Sequence, residues 1–318
     1  MEAAVEEVGN QSGVETLVSL SKPHQYQHVH QNFTVPGLFL NYVIGFIAFS
    51  VLYLFSYDVH WSYYKLDRKR VNMFVYTVRL VRIIHAVLAT LVAVPIMLIT
   101  SEFLKQRFLI LDMFVAFSGG YLTFDVFGKY NEHLQVYEPP GKLVSYRIIR
   151  RYVRKNWLLL AHHALLVVFL YPAVLFARDD EGDFLVACIL FTELSVPFTE
   201  FQWIMEQTLE PHNLRYIIVS MCAIATTVVC RLLIIPFLYE ASADHMEMSV
   251  LDFTLSLAPW WHIAALSFII PNIIWLGRNI FKTMVYLRIP YERKRKAKPG
   301  EKIDRTTLDR EEKRLKED

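Results

Sequence analysis

Cysteine is scarce in this chain of 318 residues: there are three, Cys188, Cys222 and Cys230, all inside apolar runs. With no cysteine in a polar segment, a disulfide framework outside the membrane is excluded, and the three read as small apolar packing residues. The first 30 residues are polar and acidic, without the apolar core of a secretory leader. The first long apolar run is therefore expected to act as its own insertion signal. No zinc-ligand spacing, P-loop or dinucleotide fingerprint occurs, and His24, His28 and His30 are not spaced as a metal site. No metal and no bound cofactor is expected. Internal repeats are absent. Lysine and arginine (33) nearly balance aspartate and glutamate (31), leaving a net charge of +2, and nucleic acid is not expected as a partner.

What is present is hydrocarbon. The chain is 54% hydrophobic and 14% aromatic. Seven nearly uncharged runs, at about 38–57, 80–100, 108–128, 157–177, 184–205, 216–239 and 258–284, approach the ~20 residues a helix needs to cross ~30 Å of bilayer core. Asp112, Asp125, Glu193 and Glu200 interrupt the third and fifth. The expected fold class is all-α, a polytopic transmembrane bundle of about seven spans. The segments 58–79 and 129–155 and the tail past Tyr286 are rich in Lys and Arg, whereas 178–183 and 240–257 are acidic. This alternation predicts a lumenal or extracellular N-terminus and a cytosolic C-terminus. The organisation read from it is a disordered lumenal lead over 1–36, a membrane domain over 37–286 and a charged cytosolic tail over 287–318. Asn10 and Asn32 head glycosylation sequons on the predicted lumenal side.

Ionisable groups within spans are costly, so they normally face a cavity, a partner or one another. The fourth span carries His162 and His163, and the fifth carries Glu193 and Glu200, seven residues apart on one helical face. His85 and Asp125 lie just inside the predicted cytosolic ends of the second and third spans. A layer near the cytosolic face is thus expected, containing His85, Asp125, His162, His163 and Glu200. An imidazole oriented by a carboxylate serves as base or nucleophile, which suits acyl transfer between a water-soluble donor and a lipid. A buried network that only fixes helix packing is the competing account. Arg231, in the sixth span, is expected to pair with an acidic group or to touch a lipid headgroup, with Pro236 bending the helix after it.

Over residues 72–285 these features resemble the TLC-domain membrane proteins, named for their TRAM, Lag1 and lipofuscinosis members. The resemblance is carried by Arg82-Ile83-Ile84-His85-Ala86, by Gly120-Tyr121-Leu122-Thr123-Phe124-Asp125 and by His162-His163. It continues through Glu193-Leu194-Ser195-Val196-Pro197-Phe198 and Arg231-Leu232-Leu233-Ile234-Ile235-Pro236. Ceramide synthases of this family join acyl-CoA to a sphingoid amine with a motif opening on a His pair. His162 and His163 match that pair, but Thr192-Glu193 stand where His-Asp is expected. Pro197 falls near the second Asp, and Glu200 alone matches further on. The Glu-x-Ser-x-Pro-Phe form resembles the non-synthase TLC branch instead.

The resemblance implies a role in membrane lipid homeostasis, through sphingolipid, ceramide or phospholipid acyl composition. Catalysis is left open; His162, His163, Glu193 and Glu200 would carry it, with acyl-CoA as co-substrate, and His85, Asp125 and Arg231 would bind substrate. The alternative is a non-enzymatic adaptor or cargo receptor of the early secretory pathway. Membrane lipids are the expected partners, with homo- or hetero-oligomers allowed. The endoplasmic reticulum is the expected location, ahead of the Golgi and plasma membrane. A seven-span receptor is disfavoured by the lack of Asp-Arg-Tyr and Asn-Pro-x-x-Tyr motifs, and a transporter by the lack of an inverted repeat.

Overall fold

A computed structural model describes residues 35–63, 73–100, 107–137, 145–176, 182–208 and 213–296. The lead expected over 1–36, its sequons at Asn10 and Asn32, and the tail beyond Lys296 lie outside this set, apart from the backbone at 35 and 36. No strand occurs among the described residues. Seven helices are long and apolar enough to cross a membrane, one for each predicted run. They are α1 (Val35–Tyr63), α2 (Met73–Ile99), α3 (Leu109–Tyr137), α4 (Tyr146–Phe176), α5, α6 (Leu214–His245) and α7 (Pro259–Lys296). Helix α5 comprises Asp183–Phe191, a 3₁₀ turn at Thr192–Leu194, and Ser195–Thr208. A short helix, Val250–Ser256, precedes α7.

Several helices outrun the predicted spans. Much of the basic segment 129–155 is helical, with Lys129 on α3 and 147–155 on α4. Asn156 breaks the helical dihedrals of α4 (φ −113°, ψ 19°) where the basic stretch meets the apolar one. Its side chain donates to the Tyr152 carbonyl at 3.1 Å, satisfying backbone that the kink exposes. Arg79, counted with a cytosolic loop, also lies on a helix, α2.

Three stretches depart from α geometry: the π turns Leu166–Leu170 in α4 and Val228–Leu232 in α6, and the 3₁₀ turn in α5. Each is followed closely by a proline. Pro172, Pro197 and Pro236 lack an N–H, and each ring crowds the carbonyl four residues earlier, at Val168, Glu193 and Leu232. Those three residues all lie in the irregular turns. Pro95 and Pro271 carry the same omission without changing helix type. In α6 the π turn ends at Leu232, four residues before Pro236.

Six helices form a closed ring in the order α2, α3, α4, α7, α6, α5. Helix α1 packs outside it, against α3 and α2. Its crossing with α3 needs glycine on both sides. A Cβ at Gly45 would collide with the Phe117 carbonyl, and one at Gly120 with the Tyr42 carbonyl and the Phe46 amide.

Candidate functional site

The ring encloses a cavity of about 330 Å³, to which all six of its helices contribute. Its charged floor begins with the Arg82 guanidinium, which donates from Nε and Nη2 to the two Asp125 oxygens at 2.7 and 2.6 Å. This two-pronged geometry matches a carboxylate and is the strongest form of side-chain pairing. The remaining Nη1 donates to Glu200 Oε1 at 3.3 Å. Glu200 Oε2 accepts from Arg79, whose guanidinium also lies 4.0 Å above the Trp203 ring. Asp125 and Glu200 are thereby both buried and both compensated.

His163 stands on this floor. Its Nδ1 donates to the Leu159 carbonyl at 2.9 Å, because a carbonyl oxygen only accepts. That fixes the ring with Nε2 towards Asp125 Oδ2, 3.4 Å away. His162, one residue earlier on α4, turns elsewhere, as a 100° step requires. Its ring meets the edge of Trp275 at 5.4 Å and lies 6.3 Å from Phe268, both on α7. Its Nδ1 is buried without a hydrogen-bond partner, and the residue lines the cavity.

The opposite wall is organised by Arg231. Nε donates to Ser195 Oγ at 2.6 Å and to the Thr192 carbonyl at 3.1 Å, while Nη1 donates to Asn272 Oδ1 at 3.1 Å. The π turn of α6 carries Arg231 and the 3₁₀ turn of α5 presents the Thr192 carbonyl, so both irregular turns shape this wall. Glu193 is held more loosely, 3.9 Å from Arg231 Nη2, and it too lines the cavity. On α7, Asn279 lines the cavity with its Nδ2 buried and unpartnered. Around the cavity Arg79, Arg82 and Arg231 face Asp125, Glu193 and Glu200.

Of the residues singled out from sequence, Asp125, His162, His163, Glu193, Glu200 and Arg231 all border the one cavity. His85 does not, which corrects its expected place in the same layer. It is buried behind Tyr121, stacked on that ring at 3.6 Å, flanked by Phe49 and Phe114, with Nε2 2.8 Å from Ser118 Oγ. It lies three positions beyond Arg82 on α2, about one turn further from the charged floor, where the aromatic rings of α1 and α3 close around it. Glu193 and Glu200 share the cavity but answer different cations.

Sequence reasoning also missed Arg79 and Arg82, since cations near a span end read as topological anchors. The usable signal was the spacing of Arg79, Arg82 and His85, a helical stripe of costly groups in an apolar run. Asn272 and Asn279 carried the same kind of signal in α7, seven residues apart. Among the described residues no cluster of His, Cys, Asp or Glu is arranged to hold a metal ion.

No solved structure matches the chain. A family model described as a TLC domain matches residues 75–280, which span the whole cavity and all six helices of the ring. The chain belongs to the TLC-domain family, as a multi-pass membrane protein.

Proposed function

We propose that this protein acts in membrane lipid homeostasis by binding the polar end of a lipid in the cavity and transferring an acyl group there. The observation that carries this reading is the contrast between spent and unspent groups. Arg82, Asp125 and Glu200 are consumed by one another, whereas His162 Nδ1 and Asn279 Nδ2 border the cavity with nothing to bond. Buried polar atoms are normally satisfied, so such leftovers call for a ligand.

The chemistry follows from their types. His162 accepts the proton of an acceptor amine or hydroxyl as that atom attacks the carbonyl carbon of an acyl thioester such as acyl-CoA. The carbon–sulfur bond breaks, and the imidazolium returns its proton to the leaving thiolate. Asn279 Nδ2 donates to the oxyanion that develops meanwhile. Glu193 and Arg231, loosely paired, offer one charge of each sign to a headgroup. His163, whose ring the Leu159 carbonyl fixes, positions the neighbouring His162. Loop charge places this layer towards the cytosol, where a soluble donor arrives, and the endoplasmic reticulum is the compartment that this chemistry suits.

The test is lipidomics on cells lacking the protein, rescued with wild type or with His162→Ala at matched abundance. Wild type should restore an acyl-lipid species that His162→Ala does not. Equal rescue would remove His162 from the mechanism, and the adaptor reading would take over if neither alters any lipid.

A further inference from the structure

Among the described residues, polar bonds at or beside the cavity fasten five of the six seams of the ring. Arg82 and Asp125 join α2 to α3, and Tyr152 donates to the Val126 carbonyl at 3.0 Å to join α4 to α3. Glu200 joins α5 to α2 through both arginines. Arg231 then joins α6 to α5 through Ser195 and to α7 through Asn272. The sixth seam, between α4 and α7, is closed at the cavity by ring edges, His162 against Trp275 and Phe268.

The same two helices are the least embedded. Only 6% of the apolar stretch of α4 and 11% of that of α7 is buried within the protein, against 22% to 61% for the other five. Around the seam Leu159, His162, Leu166, Trp275 and Leu276 are all half-buried cavity residues. The outward faces of both helices are apolar, with Val168, Phe169, Ile270 and Ile273 exposed. A third observation sets what passes there. A cavity of about 330 Å³ lies at the bottom of the roughly 300–1,000 Å³ range of small-molecule pockets. It has room for a headgroup but not for a long acyl chain as well, so the chain of a bound lipid must leave it through a wall.

We propose that the α4–α7 seam is a lateral portal, occupied by the hydrocarbon chain of a membrane lipid whose polar end sits in the cavity, with Trp275 against His162 as its threshold. This rests on reading the cavity as a lipid site. Parting this seam breaks van der Waals and ring contacts that lipid methylenes replace in kind. Parting any other exposes a buried charge or hydrogen bond to hydrocarbon, which cannot satisfy it. The chemistry selects a flexible apolar chain over a rigid polar solute at this opening.

The experiment is photolabelling of the full chain in phosphatidylcholine nanodiscs with an alkyne-tagged C16 fatty acid bearing a mid-chain diazirine, followed by peptide mapping. Adducts should concentrate on α4 between Leu159 and Val168 and on α7 between Phe268 and Leu276. A Leu166→Trp variant, which plugs the seam, should lose them while adducts on the outer face of α2 at Leu91 persist. Labelling spread evenly over lipid-facing residues, concentrated at another seam, or unchanged in Leu166→Trp overturns the portal. The functional reading fails separately. Seam adducts with equal lipid rescue by His162→Ala leave the portal standing and remove the chemistry. Loss of rescue with adducts elsewhere does the reverse.

Discussion

Two of the groups of charges inside this bundle behave differently. The first surrounds the cavity. The second lies between the start of α3, the end of α4 and the start of α5. There Arg107 Nε donates to Asp112 Oδ2 at 2.7 Å and Nη2 to the Leu175 carbonyl at 3.2 Å, while Asp183 accepts from the Phe108 amide. Each of these bonds ends on a helix terminus or on a partner charge. It is a latch that satisfies the ends of three helices. The cavity cluster has a similar paired core, Arg82 with Asp125 and Glu200, but it also keeps His162, Asn279 and a loosely held Glu193 in reserve. A charge inside a membrane protein therefore marks a site only when its surroundings leave polar atoms unspent.

The largest effect should come from breaking the paired core of the cavity cluster. Arg82→Met strands the buried Asp125 carboxylate, leaves Glu200 with Arg79 alone, and is expected to cost about 3–5 kcal/mol, the usual effect of removing one partner of a buried pair. Thermal unfolding in detergent should show a steep loss of the monodisperse species. Removing Asp125 as well, in Arg82→Met/Asp125→Leu, should recover part of that loss, because the uncompensated charge goes with it. An unshifted midpoint in Arg82→Met would mean that the pair is not buried as described.

The latch offers the contrasting test. Asp112→Asn keeps the shape and removes the charge, for an expected loss of about 1.5–3 kcal/mol, as for hydrogen bonds to charged groups. At matched abundance the variant should restore the lipid species as well as wild type does. Failure to do so would give the latch a functional role and erase the distinction between the clusters. A smaller change, Ser195→Ala, removes one acceptor of Arg231 and should cost about 0.5–1.5 kcal/mol. Its lipid rescue should weaken, because the Arg231 guanidinium loses one of the bonds that aim it across the cavity wall.

The legibility of these regions in the sequence follows from what pattern can encode. Seven apolar runs announced seven spans, since length and composition are local properties. The His pair, Asp125, Glu193, Glu200 and Arg231 were visible because a polar group in hydrocarbon is conspicuous wherever it points. Direction was the difficulty. His85 sits at the same apparent depth as Asp125, yet it faces an aromatic packet instead of the cavity, and its orientation depends on Phe49 and Tyr121 from two other helices. Arg79 and Arg82 were hidden by the rule that cations flank spans. The irregular turns were half legible: Pro172, Pro197 and Pro236 were on the page, but Pro95 and Pro271 show that proline alone does not decide helix type. Which helices adjoin in the ring is a matter of tertiary packing that no single run specifies.

The smallest structural effect should accompany the sharpest functional one. His162 pays for burying an imidazole nitrogen that nothing in the protein satisfies. Phenylalanine has a similar shape and no such atom, and replacing an unsatisfied polar group by an apolar one of like shape is close to neutral or stabilising. His162→Phe should therefore unfold at the wild-type temperature or slightly above it, keep its edge contact with Trp275, and fail to restore the lipid. If instead stability falls by more than about 1 kcal/mol, comparable to one net hydrogen bond, then Nδ1 has a structural partner and His162 belongs with the latch. A polar group retained at a cost to the fold is the expected signature of a residue kept for what enters the cavity.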